Sequence, residues 1–212
     1  MPSMAGISGL YVIIDPDACG GRSPVEVARL ALEGSASVVQ WRDKRREKGD
    51  QLPDAHAIRE FCLRQDALFI VNDHVDLALA VGADGAHLGQ QDLPVDLFRT
   101  FVPDGFILGV STNNADEARP AVERGASYVA IGSVFPTGSK EPERTRAASV
   151  ERVREVKAAV RVPVVAIGGI NASNIDEVIA AGADAVAVIS AVCGADDPRA
   201  AAAELVRRFA LE

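Results

Sequence analysis

Short apolar runs recur along the whole chain and alternate with stretches of helical periodicity. The runs Leu10–Ile14, Val38–Arg42, Leu68–Val71, Gly85–Leu88, Ile107–Val110, Tyr128–Ile131, Val164–Ile167 and Ala185–Ile189 predict eight strands. The intervening spacing predicts helices near Pro24–Glu33, Leu52–Gln65, Val75–Val81, Val95–Phe101, Ala115–Arg124, Ser149–Val160, Asn174–Ala181 and Pro198–Phe209. Continuously apolar strands separated by helices point to a parallel sheet. A weak repeat sharpens this: GSASVV at 34–39, GADGAH at 82–87, GASYVA at 125–130 and GADAVA at 182–187. Each is a helix-ending glycine, small residues and a strand, and each introduces an even-numbered strand. That rhythm fits a closed (β/α)₈ TIM barrel, an α/β fold, as a single domain over residues 1–212. An open doubly wound sheet is the competitor. It is disfavoured because Asp15-Pro16-Asp17 follows the first strand where a glycine-rich phosphate turn would stand.

Composition narrows the classes. With 48% hydrophobic residues the chain has ample core, and its net charge of −8 opposes a nucleic-acid surface. Cys19, Cys62 and Cys193 are odd in number and unpaired in spacing, which points to a reduced compartment. The N-terminal stretch lacks a basic segment followed by a long apolar one, so neither a signal peptide nor a membrane span is expected, and the cytoplasm is the default.

Barrel enzymes react at the C-terminal ends of their strands, so each end can be read for chemistry. Strand 2 leads into Gln40-Trp41-Arg42-Asp43-Lys44. Alternation points Gln40 and Arg42 one way and Trp41 the other, towards packing outside the barrel. Arg42 and Lys44 offer a forked and a point-like phosphate donor, whereas Arg45, Arg46 and Lys48 read as a solvated charged loop. Strand 3 ends in Asn72-Asp73 and strand 4 leads to Asp92. Parallel neighbours lie about 4.8 Å apart, which brings Asp73 and Asp92 close enough to share one ion. Two carboxylates without cysteine or a second histidine suit Mg²⁺, one ion per site, completed by a substrate phosphate. Asp73 could instead cap the next helix. Ser111 ends strand 5, and Asn113 or Asn114 can cap the helix after it, leaving Ser111 free for phosphate. The long segment after strand 6 holds Thr137, Gly138, Ser139 and Lys140, an anion grip that would also suit a lid. Strand 7 ends in AIGGI at 166–170, before a helix that Asn171 or Ser173 could cap. With Ile189 and Ser190 after strand 8, Gly169 supplies the backbone N–H phosphate site common in this fold. His87 lies inside strand 4, as consistent with a satisfied core histidine as with a ligand contact.

Taken together, QWRDK at 40–44, VNDHVDLALAVGADGAHLGQQDLP at 71–94, LGVST at 108–112, FPTGSK at 135–140, AIGGI at 166–170 and the Ile189-Ser190 pair resemble the thiamine phosphate synthase family over essentially the whole chain. The resemblance implies a transferase of thiamine biosynthesis. It would join 4-amino-2-methyl-5-hydroxymethylpyrimidine diphosphate to 4-methyl-5-(2-phosphoethyl)thiazole by dissociative substitution, releasing pyrophosphate. It further implies that Gln40, Arg42, Lys44, Asn72, Ser111 and Lys140 hold the diphosphate substrate, with Trp41 and Asp43 of the same motif counted in the binding set. Arg42, Lys44, Ser111 and Lys140 would be catalytic and Asp73 and Asp92 would ligate Mg²⁺. Thr137, Gly138, Ser139, Gly169, Ile189 and Ser190 would hold the thiazole phosphate. The chain departs from the family pattern at Trp41, His74, Asn113 and Ser139. The rival readings are a thiazole tautomerase-like isomerase, disfavoured by Asp92, Lys140 and Ser133, and a non-catalytic thiamine-phosphate binding protein. A generic sugar-phosphate isomerase comes last. The expected partners are small-molecule substrates rather than nucleic acid or membrane, and a homo-oligomer is compatible with the chain.

Overall fold

The computed structural model of the protein describes residues 6–137 and 149–210. Eight parallel strands, β1 (Gly9–Ile14), β2 (Val38–Trp41), β3 (Leu68–Asn72), β4 (Gly85–Leu88), β5 (Ile107–Thr112), β6 (Tyr128–Gly132), β7 (Val164–Ile167) and β8 (Ala185–Val188), pair in sequence order and close on themselves. The closing pair joins β1 to β8, with Leu10 opposite Val186. Helices α1 (Pro24–Glu33), α2 (Lys48–Arg64), α3 (Val75–Ala80), α4 (Val95–Arg99), α5 (Ala115–Glu123), α6 (Val150–Ala159), α7 (Ile175–Ile179), α8 (Ser190–Cys193) and α9 (Pro198–Phe209) surround the barrel. The expected TIM barrel is the observed one. Two short elements escaped the periodicity, the 3₁₀ turn Pro16–Ala18 and α8, because neither is long enough to show a repeat.

Helix starts follow local chemistry. Ser23 accepts from the Glu26 N–H ahead of Pro24, and Asp197 accepts from the Ala200 N–H ahead of Pro198. Asn114 caps α5 by accepting from Glu117 N–H at 3.0 Å, and a Glu117 carboxylate oxygen accepts from Asn113 N–H in return. Asp73 caps nothing. Its backbone is left-handed, with φ of 60°, and α3 begins after His74 without a side-chain cap. Neither Asn171 nor Ser173 caps α7; it starts after Asn174, whose side chain turns back to the Asn171 N–H.

The repeated sequence unit has a structural meaning at the N-terminal rim. The residue just before β4 is Asp84, whose carboxylate accepts from the Phe69 N–H of β3 at 2.7 Å and pairs with Arg59 of α2. Before β6, the Ser127 hydroxyl accepts from Leu108 N–H of β5 at 3.0 Å and from Arg99 of α4 at 2.6 Å. Before β8, Asp184 accepts from Val164 N–H of β7 at 2.8 Å and pairs with Lys157 of α6. Each of these three units therefore satisfies an N–H at the start of the preceding strand and ties down the preceding helix with a cation.

Two apolar cores result. A larger one lies between strands and helices, and a smaller one fills the barrel with Tyr11, Ile13, Val38, Ile70, Tyr128, Ala130, Val165, Ala185 and Ala187. The inner one stops short of the C-terminal end, where polar side chains begin.

Candidate active site

A cavity of about 600 Å³ opens at the C-terminal end of the barrel. Its floor is a continuous hydrogen-bonded chain of side chains from five strands. Gln40 of β2 donates to the Tyr11 hydroxyl of β1 at 2.7 Å, and that hydroxyl lies 2.9 Å from the Tyr128 hydroxyl of β6. Tyr128 in turn lies 2.9 Å from His87 Nδ1, and His87 Nε2 lies 2.9 Å from the Ser111 hydroxyl of β5. Burial drives both tyrosine hydroxyls far above their ordinary range, so they stay protonated. Room for the Tyr128 ring comes from its neighbour in register, Gly109, where a Cβ would fall 2.0 Å from the tyrosine Cζ.

At one side of this floor the β2–α2 loop carries the cations. The strand ends at Trp41, one residue earlier than expected, and Arg42 then points into the cavity, paired with Asp15 at the end of β1. Lys44 is 53% exposed in its side chain and pairs with Asp73. Asn72 lines the cavity, whereas Asp73, which follows it, and Asp92 are not part of its lining. Asp92 accepts from Gly89 N–H at 2.7 Å and borders a second depression that it shares with Ser111. Burial above all, and then the Asp73 carboxylate beside it, push the Asp92 carboxyl up against the lowering pull of the Gly89 N–H. The two carboxylates therefore converge, as the parallel pairing of β3 and β4 implies.

Opposite lie the loops after β7 and β8. Gly168 and Gly169 both have left-handed φ, 104° and 65°, conformations that a side chain would strain. Gly168 O accepts from Phe135 N–H at 3.0 Å, which ties this loop to the segment after β6. Thr137, Gly169, Ile189 and Ser190 all line the cavity on this side. Gly138, Ser139 and Lys140 lie outside the described residues.

Two members of the expected binding set stand elsewhere. Trp41 is 1% exposed, packs in the outer core and donates its indole N–H to Gln51 at 3.0 Å, because alternation along β2 turns it away from Gln40. Asp43 is buried behind the loop and accepts from the Arg45 and Arg46 N–H groups and from the Arg46 side chain. Arg46 is exposed, as expected of a charged loop, but it is also paired. It bridges Asp43 and Asp54 with its guanidinium 5.5 Å from the Trp41 ring centre. These residues shape the loop that presents Arg42 and Lys44. Conversely, Tyr11, Asp15 and Tyr128 were not singled out by sequence. Their inward direction could be read from alternation on β1 and β6, but not their mutual pairing.

The cavity thus has cations and carboxylates towards one end and glycine-loop backbone at the other. A family model described as TMP-TENI, thiamine monophosphate synthase, matches residues 10–192. The chain belongs to the thiamine monophosphate synthase family. Thiamine-phosphate synthases of Methanoculleus marisnigri and Methanoregula boonei are each 50% identical to it, the first over 95% of both chains and the second over 94% of this chain and 92% of its own. A solved thiamine phosphate pyrophosphorylase from Pyrococcus furiosus superposes with a TM-score of 0.87 at 40% identity, covering 95% of each chain. A 3-hexulose-6-phosphate synthase, at 20% identity and a TM-score of 0.73, shares the barrel alone. The thiamine monophosphate synthase family, the names of the relatives and the solved neighbour agree on a transferase of thiamine biosynthesis.

Proposed function

We propose that this chain forms thiamine phosphate in the cavity at the C-terminal mouth of its barrel, joining the pyrimidine diphosphate to the thiazole phosphate with loss of pyrophosphate. The observation that carries the reading is the polarity of one cavity. Arg42 and Asn72 line the end beside Lys44, Asp73 and Asp92, whereas Gly169, Ile189 and Ser190 line the other. Two substrates with one anionic group each would lie head to head between them.

Asp73 and Asp92 fit a hard divalent cation. Two like-charged carboxylates held together repel unless a cation lies between them, and no cysteine or histidine adds a softer donor. Among the described residues no cluster of three or more acidic, histidine or cysteine side chains forms, so water and substrate phosphate would complete the shell. When bound there, Mg²⁺ would neutralise charge on the diphosphate as it leaves. The chain's own groups do the rest. Arg42, held by Asp15, presents its remaining guanidinium N–H groups to the diphosphate. Lys44, once exchanged from Asp73, adds a second cation, and Lys140, outside the described residues, is assigned a third. An ion pair near 4 Å contributes about 4 kcal/mol at an effective dielectric of 20, and it strengthens as leaving-group charge grows. The Gln40–Tyr11–Tyr128–His87–Ser111 floor orients the pyrimidine, and backbone N–H groups at Gly169, Ile189 and Ser190 fix the thiazole phosphate for attack. No covalent nucleophile is required. Three buried free cysteines agree with a reducing cytoplasm, and among the described residues no helix is long and apolar enough to cross a membrane.

The test is pyrophosphate release by the purified protein with both substrates, with and without Mg²⁺. Release should require the thiazole phosphate and the metal, and should fall by at least about 10²-fold in Asp92→Ala. Tight thiazole-phosphate binding without any release would overturn the reading in favour of the isomerase or the binding protein.

A further inference from the structure

Among the described residues a single buried side-chain polar atom lacks a hydrogen-bond partner, the hydroxyl of Ser133. Ser133 follows β6 directly, is 1% exposed and lines the cavity. Its place is built with care. A Cβ at Gly168 would fall 2.6 Å from the serine Oγ and 2.5 Å from its Cβ, so the glycine's bare backbone is what admits this side chain. Val134 N–H donates to Ile167 O at 2.9 Å and Phe135 N–H to Gly168 O at 3.0 Å. These bonds clamp the segment carrying Ser133 to the glycine loop. The hydroxyls of Tyr11, Tyr128 and Ser111 on the floor all have partners, so the unpaired hydroxyl is the exception in an otherwise satisfied site. A buried hydroxyl without a partner is disfavoured, and alanine would fit the same space.

We propose that Ser133 is a specificity-determining residue whose hydroxyl donates to the phosphate-bearing arm of the azole substrate, beside the Gly168–Gly169 backbone. The assignment rests on the reading of this end of the cavity given above. The side chain stands on the β6–β7 side, against the glycine loop and away from Arg42, and a hydroxyl donor suits the acceptor-only oxygens of a phosphate ester.

The test compares the full-length protein with Ser133→Ala, using 4-methyl-5-(2-phosphoethyl)thiazole and its dephosphorylated alcohol as probes. Calorimetry should find the phosphate bound about tenfold more weakly by the variant and the alcohol bound equally by both. The KM for thiazole phosphate should rise in step, while kcat and the KM for the pyrimidine diphosphate move by less than about twofold. Unchanged phosphate binding would mean that solvent alone holds the hydroxyl and would overturn the proposal. An equal loss for phosphate and alcohol would overturn it as well, by assigning the contact to the ring. Thermal unfolding of the variant should be unimpaired, since only an unpaired hydroxyl is removed. Turnover by the unaltered protein tests the synthase reading separately, so the two failures are distinguishable.

Discussion

The two ends of the barrel use the same eight strands differently. At the N-terminal rim one device recurs: Asp84, Ser127 and Asp184 each accept an N–H from the start of the preceding strand and hold a cation from the preceding helix. At the C-terminal rim no two strand ends repeat. β2 delivers Arg42, β3 Asn72 and Asp73, β6 Ser133, and the loop after β7 two left-handed glycines. The periodic rim meets the same demand several times over, that of starting a strand beside its neighbour. The irregular rim meets one demand once, that of enclosing an asymmetric pair of reactants. Stability and chemistry are thus separated by the length of a strand.

The sharpest way to test that separation is Arg42→Ala. Loss of a charged donor should lower kcat/KM per folded molecule by about 10²- to 10³-fold, while the urea midpoint also falls, because the mostly buried Asp15 carboxylate loses its Arg42 partner. Steady-state kinetics beside a denaturation curve reads both. Next comes Asp84→Ala at the opposite rim. It strands the Phe69 N–H and the half-buried Arg59, and should cost about 2–3 kcal/mol of stability, with kcat and KM per folded molecule unchanged. A large kinetic effect of Asp84→Ala would break the division between the rims.

The smallest effect comes from a residue that crosses the division. Asp43 lies on the catalytic rim but acts as a staple. Burial pushes its carboxyl up, yet the Arg46 guanidinium and two backbone N–H groups override this and hold it below the usual carboxylate range. A lowered folded-state value means stability that is present above the ordinary carboxylate pKa and is lost as pH falls through the folded value. Asp43→Asn should therefore cost about 1 kcal/mol near pH 7, allowing for the solvent-screened Arg46. Its urea midpoint should approach that of the unaltered protein near pH 3. A gap of constant size across that range would remove the electrostatic account of this loop.

How legible all this was depended on how local the cause is. Strand and helix alternation follows from side-chain period, so the barrel was readable, and so was the convergence of Asp73 with Asp92 across adjacent parallel strands. Asn114 capping α5 was readable because a cap acts within three residues. Asp15 was not, since its partner Arg42 is 27 positions away. Tyr11 and Tyr128 meet from strands 117 positions apart and resemble ordinary core aromatics until the barrel closes. Trp41 and Asp43 entered the binding set by adjacency to Arg42. Alternation on β2 had already turned the tryptophan outward, and the carboxylate is consumed by its own loop.

Gly109 and Tyr128 face each other in register, and the absence of a side chain at one is the space occupied by the ring of the other. No larger residue can enter at 109 while the ring stands, and the ring cannot shrink without removing the hydroxyl that joins His87 to Tyr11. The two positions are one heritable unit. A lineage could exchange this floor for another only by changing both together, and a library that randomises either position alone should return its parent.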